Sequence, residues 1–234
     1  MAGPRAYDRR AGVLALVAAF ALALASCGDD GEPSAAEARS DQIREAVAGA
    51  GFADDVVDVL ALAAAGTDAT YRVAYELATT DGDVQRVELT QRPPDRRLEV
   101  TNADGTAVAT IAVDGTFHQC QLDETWSCSE VGETEAGGGV TLDPDAVTRL
   151  ASSLAHGADR YDLSVEHRDL VGVDATCLLA QLRADVDATD DEGAAGTLCV
   201  SPEGALLLTE RAQERLEAVD YTAEVDDDAF ALPA

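Results

Sequence analysis

The sequence predicts an α+β fold, built from a curved antiparallel sheet (a half-barrel of about eleven strands) with helices packed on its concave side. Two periodicities and one turn signal carry that prediction. Apolar residues recur at helical spacing in three stretches and alternate with a period of two through most of the remainder. Three Asp-Gly pairs, Asp81-Gly82, Asp104-Gly105 and Asp114-Gly115, separate short alternating runs. Such turns connect neighbouring antiparallel strands and leave no room for βαβ crossovers.

The first helix is signalled by Ser34-Ala35-Ala36-Glu37, a capping-box pattern, with Ile43 and Val47 on one face. Ala50-Gly51 is a break. A second helix covers Ala53 to Ala65, with Val56, Val59, Leu60 and Ala63 in its apolar stripe and Gly66 at its end. Tyr71, Val73, Tyr75 and Leu77 then alternate with Arg72, Ala74 and Glu76 as a strand. The return strand runs from Val84 to Gln91, and Pro93-Pro94 interrupts before Leu98 to Thr101. Ala107 to Val113 and Thr116 to Leu122 continue the meander, and a tight turn over Leu122-Asp123-Glu124 leads to Trp126 and Cys128. Residues 132–139 are a loop. Asp143-Pro144 opens the third helix as N-cap and first helical position, with Val147, Leu150, Ala151 and Leu154 as its stripe. Strands follow at Tyr161 to Glu166, Val171 to Leu179, Leu198 to Val200, Ala205 to Glu210 and Arg215 to Val225, with an acidic loop over Asp185 to Gly196.

Ahead of this body, Arg5, Arg9 and Arg10 precede an apolar run over residues 11–25 that ends in Leu24-Ala25-Ser26-Cys27. A charged start, an apolar core of about 15 residues and small residues before a break describe a secretory signal peptide. The run is shorter than the ~20 residues of a spanning helix. Leu24-Ala25-Ser26-Cys27 resembles the lipobox of bacterial lipoproteins. The resemblance implies a diacylglyceryl group on the Cys27 thiol and cleavage that makes Cys27 the new N-terminus. The expected organisation is a lipoprotein signal peptide over 1–26, an acylated cysteine and flexible tether over 27–40, and one domain over 41–234.

The chain holds 16 basic and 45 acidic residues, a formal charge of −29, and every basic residue is arginine. That charge repels a phosphate backbone, so nucleic acid is excluded as a partner. Aromatic residues make up only 4% of the chain, so the core rests on Val, Leu and Ala. With Cys27 lipidated, four cysteines remain: Cys120, Cys128, Cys177 and Cys199. An even count in an exported chain reads as two disulfides with three possible pairings. The local pairs Cys120–Cys128 and Cys177–Cys199 each fit within one hairpin, and each loop contributes about 2.5–3.5 kcal/mol in the chain-entropy model.

Neither catalysis nor a metal or other cofactor is expected. His118 falls inside a strand, His156 at a helix end and His167 before a turn, and no G-x-S-x-G elbow exists. Asp187, Asp190, Asp191 and Glu192 fail the calcium-loop spacing, and Asp226-Asp227-Asp228 is likewise a solvated cluster. An apolar concave face is the remaining candidate for binding. It is expected to include Tyr71, Val73, Leu89, Ile111, Val171, Val173, Leu206 and Leu208, as core or as the wall of an acyl-chain cavity.

Together the lipobox, the helix pair, Tyr71-Arg72-Val73-Ala74-Tyr75, the Pro-Pro break, the Cys120/Cys128 pair, the mid-chain helix and Phe230-x-Leu232-Pro233 resemble actinobacterial lipoproteins of the LolA/LolB-like superfamily, to which the LppX/LprG-like lipoproteins belong. That resemblance implies an apolar pocket that carries lipids, lipoglycans or lipoprotein acyl chains on the outer side of the membrane. It also implies an alternative, a sensory module whose protein partner is of the anti-sigma-factor kind. A structural envelope lipoprotein is the third expectation. The cysteines are not general to the superfamily.

Overall fold

The structure is a computed structural model that describes residues 34–79, 84–132, 144–186, 195–211 and 214–233. The expected signal peptide, Cys27, the Asp81-Gly82 turn, the Asp143 cap, the loop at 133–139 and the acidic residues Asp187 to Glu192 lie outside the described residues.

Two helices open the fold, α1 (Ala35–Ala46) and α2 (Asp54–Ala65), and a third, α3 (Pro144–His156), lies between the two runs of strands. Ser34 caps α1: its Oγ accepts from the Glu37 N–H, and its own N–H donates to the Glu37 carboxylate at 2.8 Å. This reciprocal pair starts helix inside the segment expected to be tether.

The strands are β1 (Tyr71–Thr79), β2 (Val84–Arg92), β3 (Asp95–Thr101), β4 (Ala107–Val113), β5 (Thr116–Leu122), β6 (Trp126–Val131), β7 (Tyr161–Leu170), β8 (Val173–Leu182), β9 (Gly196–Val200), β10 (Leu206–Arg211) and β11 (Glu214–Thr222). All belong to one open antiparallel sheet in the order β6-β5-β4-β3-β2-β1-β11-β10-β9-β8-β7. The architecture is therefore the α+β sheet that the two periodicities predict. Two meanders run outward from a central seam where β1 pairs with β11, Val73 opposite Tyr221 and Leu77 opposite Leu216.

Two hairpins turn on left-handed residues. Asp114 and Gly115 have φ 51° and 74°, between the paired residues Val113 and Thr116. Val171 and Gly172 have φ 49° and 76°, between Leu170 and Val173. Val171 is thus a turn residue and not the start of a strand, which corrects the sequence reading. A valine at positive φ is sterically costly, so sequence favours extending the strand through it.

The helices pack against one another, and α2 lies on β7, β8 and β9. Ile43, Leu60, Ala151 and Leu154 meet Tyr161, Leu178, Ala180 and Val200 in the first apolar cluster. A second cluster holds Tyr71, Val73, Tyr75, Val87, Leu89 and Leu98 together with residues of β8 to β11. A third, small cluster joins Ala109, Ile111 and Cys120 with Val113 and Trp126.

Candidate functional site

Strand register decides which predicted apolar residues share a face. Leu178 pairs with Leu198, Leu198 with Thr209, Thr209 with Leu216 and Leu216 with Leu77. The helix-bearing face therefore runs continuously into β1, where Tyr71 and Val73 lie on it, and on to Leu89 and Leu98 through cross-strand pairs. Leu206 joins this face opposite Val200. Ile111 pairs with Arg97, next to Leu98, and so lies on the opposite face. Leu208 pairs with Cys199, which pairs with Cys177, and these too face away from the helices, as does Val173 at the same parity. The expected single face is thus corrected: Tyr71, Val73, Leu89 and Leu206 form one side, Ile111, Val173 and Leu208 the other, and Val171 is exposed in its turn. For Leu208 the cause is an irregularity between Leu206 and Leu208, where β10 spends two residues against one step of β9 and reverses the parity that alternation alone would assign; Ile111 falls opposite by the regular register of β2, β3 and β4.

The helix-bearing face is filled. Tyr71 and Val73 are 0% exposed and Leu89 is 2% exposed. Beneath α3, Leu150, Leu154, Leu178, Ala180 and Leu198 line a cavity of only about 40 Å³. A ligand pocket of ordinary size is about 300–1,000 Å³.

Polar groups gather at one end of this face, where the turn before β10 meets the end of α2. An added Cβ on Gly66 would stand 1.9 Å from the Gly204 oxygen, and Gly204 has φ 84°, so both positions demand glycine. Ser201 Oγ accepts from the N–H groups of Glu203 and Ala205. Tyr221 Oη donates to the Glu203 carboxylate at 2.7 Å, and Ser201 Oγ donates to it at 3.0 Å. The tyrosine's hydrogen bond holds the Glu203 carboxyl below its ordinary range, with Ser201 adding to it. Burial, with the facing Glu203, pushes the Tyr221 phenol up to about 12. Nearby, Gln91 Nε2 donates to the carbonyls of Gly66 and Ala69, and Arg96 donates to Gln91 Oε1 at 3.1 Å. Tyr75 Oη donates to the Leu206 carbonyl at 2.8 Å. Tyr71 Oη is buried with no hydrogen-bond partner, and burial drives its phenol well above the ordinary range. The sequence places Tyr71 in the apolar wall and Tyr75 and Tyr221 in strands; the hydroxyl chemistry of these tyrosines, with Ser201 and Glu203, is not part of that reading. The Ser-Pro-Glu-Gly turn sequence was the available signal.

On the helix-free face, Arg72, Glu88, Thr90, Arg97, Glu224 and Asp226 line a groove of about 450 Å³. Arg72 makes a two-point contact with Glu88 at 2.9 and 3.0 Å. The segment after β11 crosses this face: Asp227 pairs with Arg92 at 3.0 Å, the Arg92 guanidinium stands 5.3 Å from the centre of the Phe230 ring, and Arg97 donates to the Ala231 carbonyl.

Both disulfides also lie on the helix-free face. Cys120–Cys128 and Cys177–Cys199 join residues directly opposite in β5/β6 and β8/β9, with Cα–Cα distances of 4.0 and 3.9 Å. The three histidines are spread over β5, α3 and β7. His156 Nδ1 is 2.7 Å from the Ser152 carbonyl, and His167 stands 3.5 Å from Asp174. Among the described residues, no three His, Cys, Asp or Glu side chains converge as metal ligands, and no helix is long and apolar enough to cross a membrane.

An open eleven-stranded antiparallel sheet carrying its helices on one face defines an α+β module, and its two disulfides point to a location outside the cytoplasm. Among solved structures the chain is similar to that of MucB, at 16% identity and a TM-score of 0.50, over 78% of this chain and 64% of MucB. The chain thus spans less than two thirds of MucB, and the likeness is one of fold. An uncharacterized conserved protein from Thermus thermophilus aligns over 74% of this chain and 89% of its own, at 11% identity and a TM-score of 0.40. No family model and no curated protein matches the chain.

Proposed function

We propose that this chain is a lipid-anchored, non-enzymatic module of the cell envelope that works by binding a protein partner, of which an anti-sigma factor is one example. The filled interior supports this reading most directly. Tyr71, Val73, Leu89 and Leu206, four of the side chains expected to wall an acyl-chain cavity, lie in one buried cluster, and the space beneath α3 is about 40 Å³. A module that holds its own core shut acts through its surface.

The experiment is in-cell crosslinking of the full chain followed by identification of adducts, with the Cys27→Ala chain as the anchoring control. A discrete protein adduct is expected. Cys27→Ala is expected to leave the chain unprocessed or released while preserving its fold, since the anchor lies ahead of the Ser34 cap. Normal membrane retention of Cys27→Ala refutes the lipobox reading, and absence of any protein adduct refutes the partner reading.

Lipid or lipoglycan carriage is the second reading. Its favouring observation is the apolar lining beneath α3 from Leu150, Leu154, Leu178 and Leu198, which would widen if α3 lifted. Native mass spectrometry of the chain purified from its host separates the two, because a carrier retains stoichiometric lipid.

A further inference from the structure

β6 and β7 are the two outer strands of the sheet, and they are built differently. β7 carries Asp162, Glu166, His167, Arg168 and Asp169 within ten residues. Charges of this density guard an edge against pairing with other chains. β6, Trp-Ser-Cys-Ser-Glu-Val, carries one charge, Glu130, and no proline.

Among the described residues, the register of β6 shows which of its backbone groups have no strand partner. Cys120 and Cys128 face each other at a Cα–Cα distance of 4.0 Å. That separation belongs to the non-hydrogen-bonded kind of antiparallel pair, near 4.5 Å and not 5.5 Å. Leu122–Trp126 and His118–Glu130 share its parity. The N–H and C=O groups of Trp126, Cys128 and Glu130 therefore point outward from the sheet, and the disulfide holds β6 rigidly in that presentation.

The helix-bearing side of the same arm is a three-by-three grid. Ala112, Phe117 and Val131 form one cross-strand row, Thr110, Gln119 and Ser129 the next, and Val108, Gln121 and Ser127 the last. None of the nine is charged, in a chain of net charge −29, and Val108, Gln119, Gln121, Ser127 and Ser129 are exposed. On the other side, Glu130 and the turn residues Asp123 and Glu124 give the edge a negative flank.

We infer that the outer edge of β6 is a docking site for an extended segment of a protein partner, which adds to the sheet as a further strand. The inference rests on the partner-binding reading and names where and how the partner is held. Backbone hydrogen bonds to Trp126, Cys128 and Glu130 fix the segment. Alternate side chains of the segment decide its identity. Those continuing the grid are uncharged, because a buried charge there would meet no counter-charge. Those beside Glu130 and the Asp123-Glu124 turn are basic, by complementarity.

The test places the photoreactive residue p-benzoylphenylalanine in the full-length chain in its host, one position at a time: Ser129 on β6, Arg168 on β7 and Val219 on β11. The expected result is an adduct from Ser129 to one other protein, whose crosslinked peptide alternates uncharged with basic residues, and little from the other two positions. Glu130→Pro removes one outward N–H without touching the hydrogen bonds between β5 and β6, and is expected to cut the adduct yield about tenfold. Ser127→Lys, which keeps every backbone N–H, sets an uncompensated charge in the grid and is expected to do the same should the proline variant lose its fold by circular dichroism. Undiminished yield in a folded variant, an adduct to a second copy of this chain, or adducts only from Arg168 or Val219 each overturns the β6 site while leaving partner binding in place. No adduct from any position overturns both.

Discussion

Tyr71 and Tyr75 stand two turns of the pleat apart on β1, point to the same face and are both almost wholly buried, yet only one hydroxyl is satisfied. Replacing each with phenylalanine isolates a single oxygen. In Tyr75→Phe the Leu206 carbonyl loses its donor across the sheet, 131 residues away in sequence. Leaving a buried acceptor unpaired costs about 1–3 kcal/mol. In Tyr71→Phe nothing is left unpaired, and a buried hydroxyl without a partner is removed, a gain of about 1–2 kcal/mol. For a body of this size about 1 kcal/mol moves Tm by about 2–4 °C. Calorimetry at pH 7 should therefore find Tyr75→Phe melting about 2–12 °C below the parent and Tyr71→Phe level with it or a few degrees above. Tyr71→Phe destabilised as much as Tyr75→Phe would refute the reasoning. The Tyr71 hydroxyl would then have a partner in solution, and the interior would be holding something other than its own side chains.

The disulfides give a graded prediction: the Cys177–Cys199 loop has a sequence separation of 22 and the Cys120–Cys128 loop one of 8. Replacing the first pair with serine should cost about 3.4 kcal/mol and the second about 2.6 kcal/mol by urea unfolding, and a reversed order would contradict the chain-entropy account. Glu203 provides a pH dependence. Its carboxyl is held below its ordinary value by Tyr221, so its contribution to stability is present above the unfolded value near 4.5 and is lost as pH falls through the lower folded one. Melting temperatures of parent and Glu203→Gln should thus converge as pH falls from 4.5 through the lower folded value, and a gap that stays constant over that descent counts against the Tyr221–Glu203 bond.

Alternation and turn chemistry made most of the fold legible, because both act within a few residues. Asp114-Gly115 turns where its residue types say it should, and Asp143-Pro144 marks the helix over Pro144–His156. The two cysteine pairs were legible for the same reason, as each closes across adjacent strands. The candidate face was legible only in part. Tyr71, Val73 and Leu89 alternate in register with their neighbours, but the irregularity at Leu206–Leu208 changes which side Leu208 takes. Such a step depends on how two distant segments pair, and neither segment records it alone. Val171 was missed because a turn overrode its β-branched preference for extended backbone. The uncharged grid was present in the sequence as Val108, Thr110, Ala112, Phe117, Gln119 and Gln121, but its exposure depended on which face the helices cover.

The seam between β1 and β11 has a consequence for how the molecule comes into being. Arg72 meets Thr222, so the middle of the sheet is made by segments some 150 residues apart, while every other strand pairing joins strands consecutive in the chain. Each half-sheet can zip up by short hops, but the two halves cannot be welded until Glu214–Thr222 is available. A chain that is threaded across a membrane from its amino end would stay two loosely organised halves throughout the journey. It would become a single cooperative body only as its last strand came through.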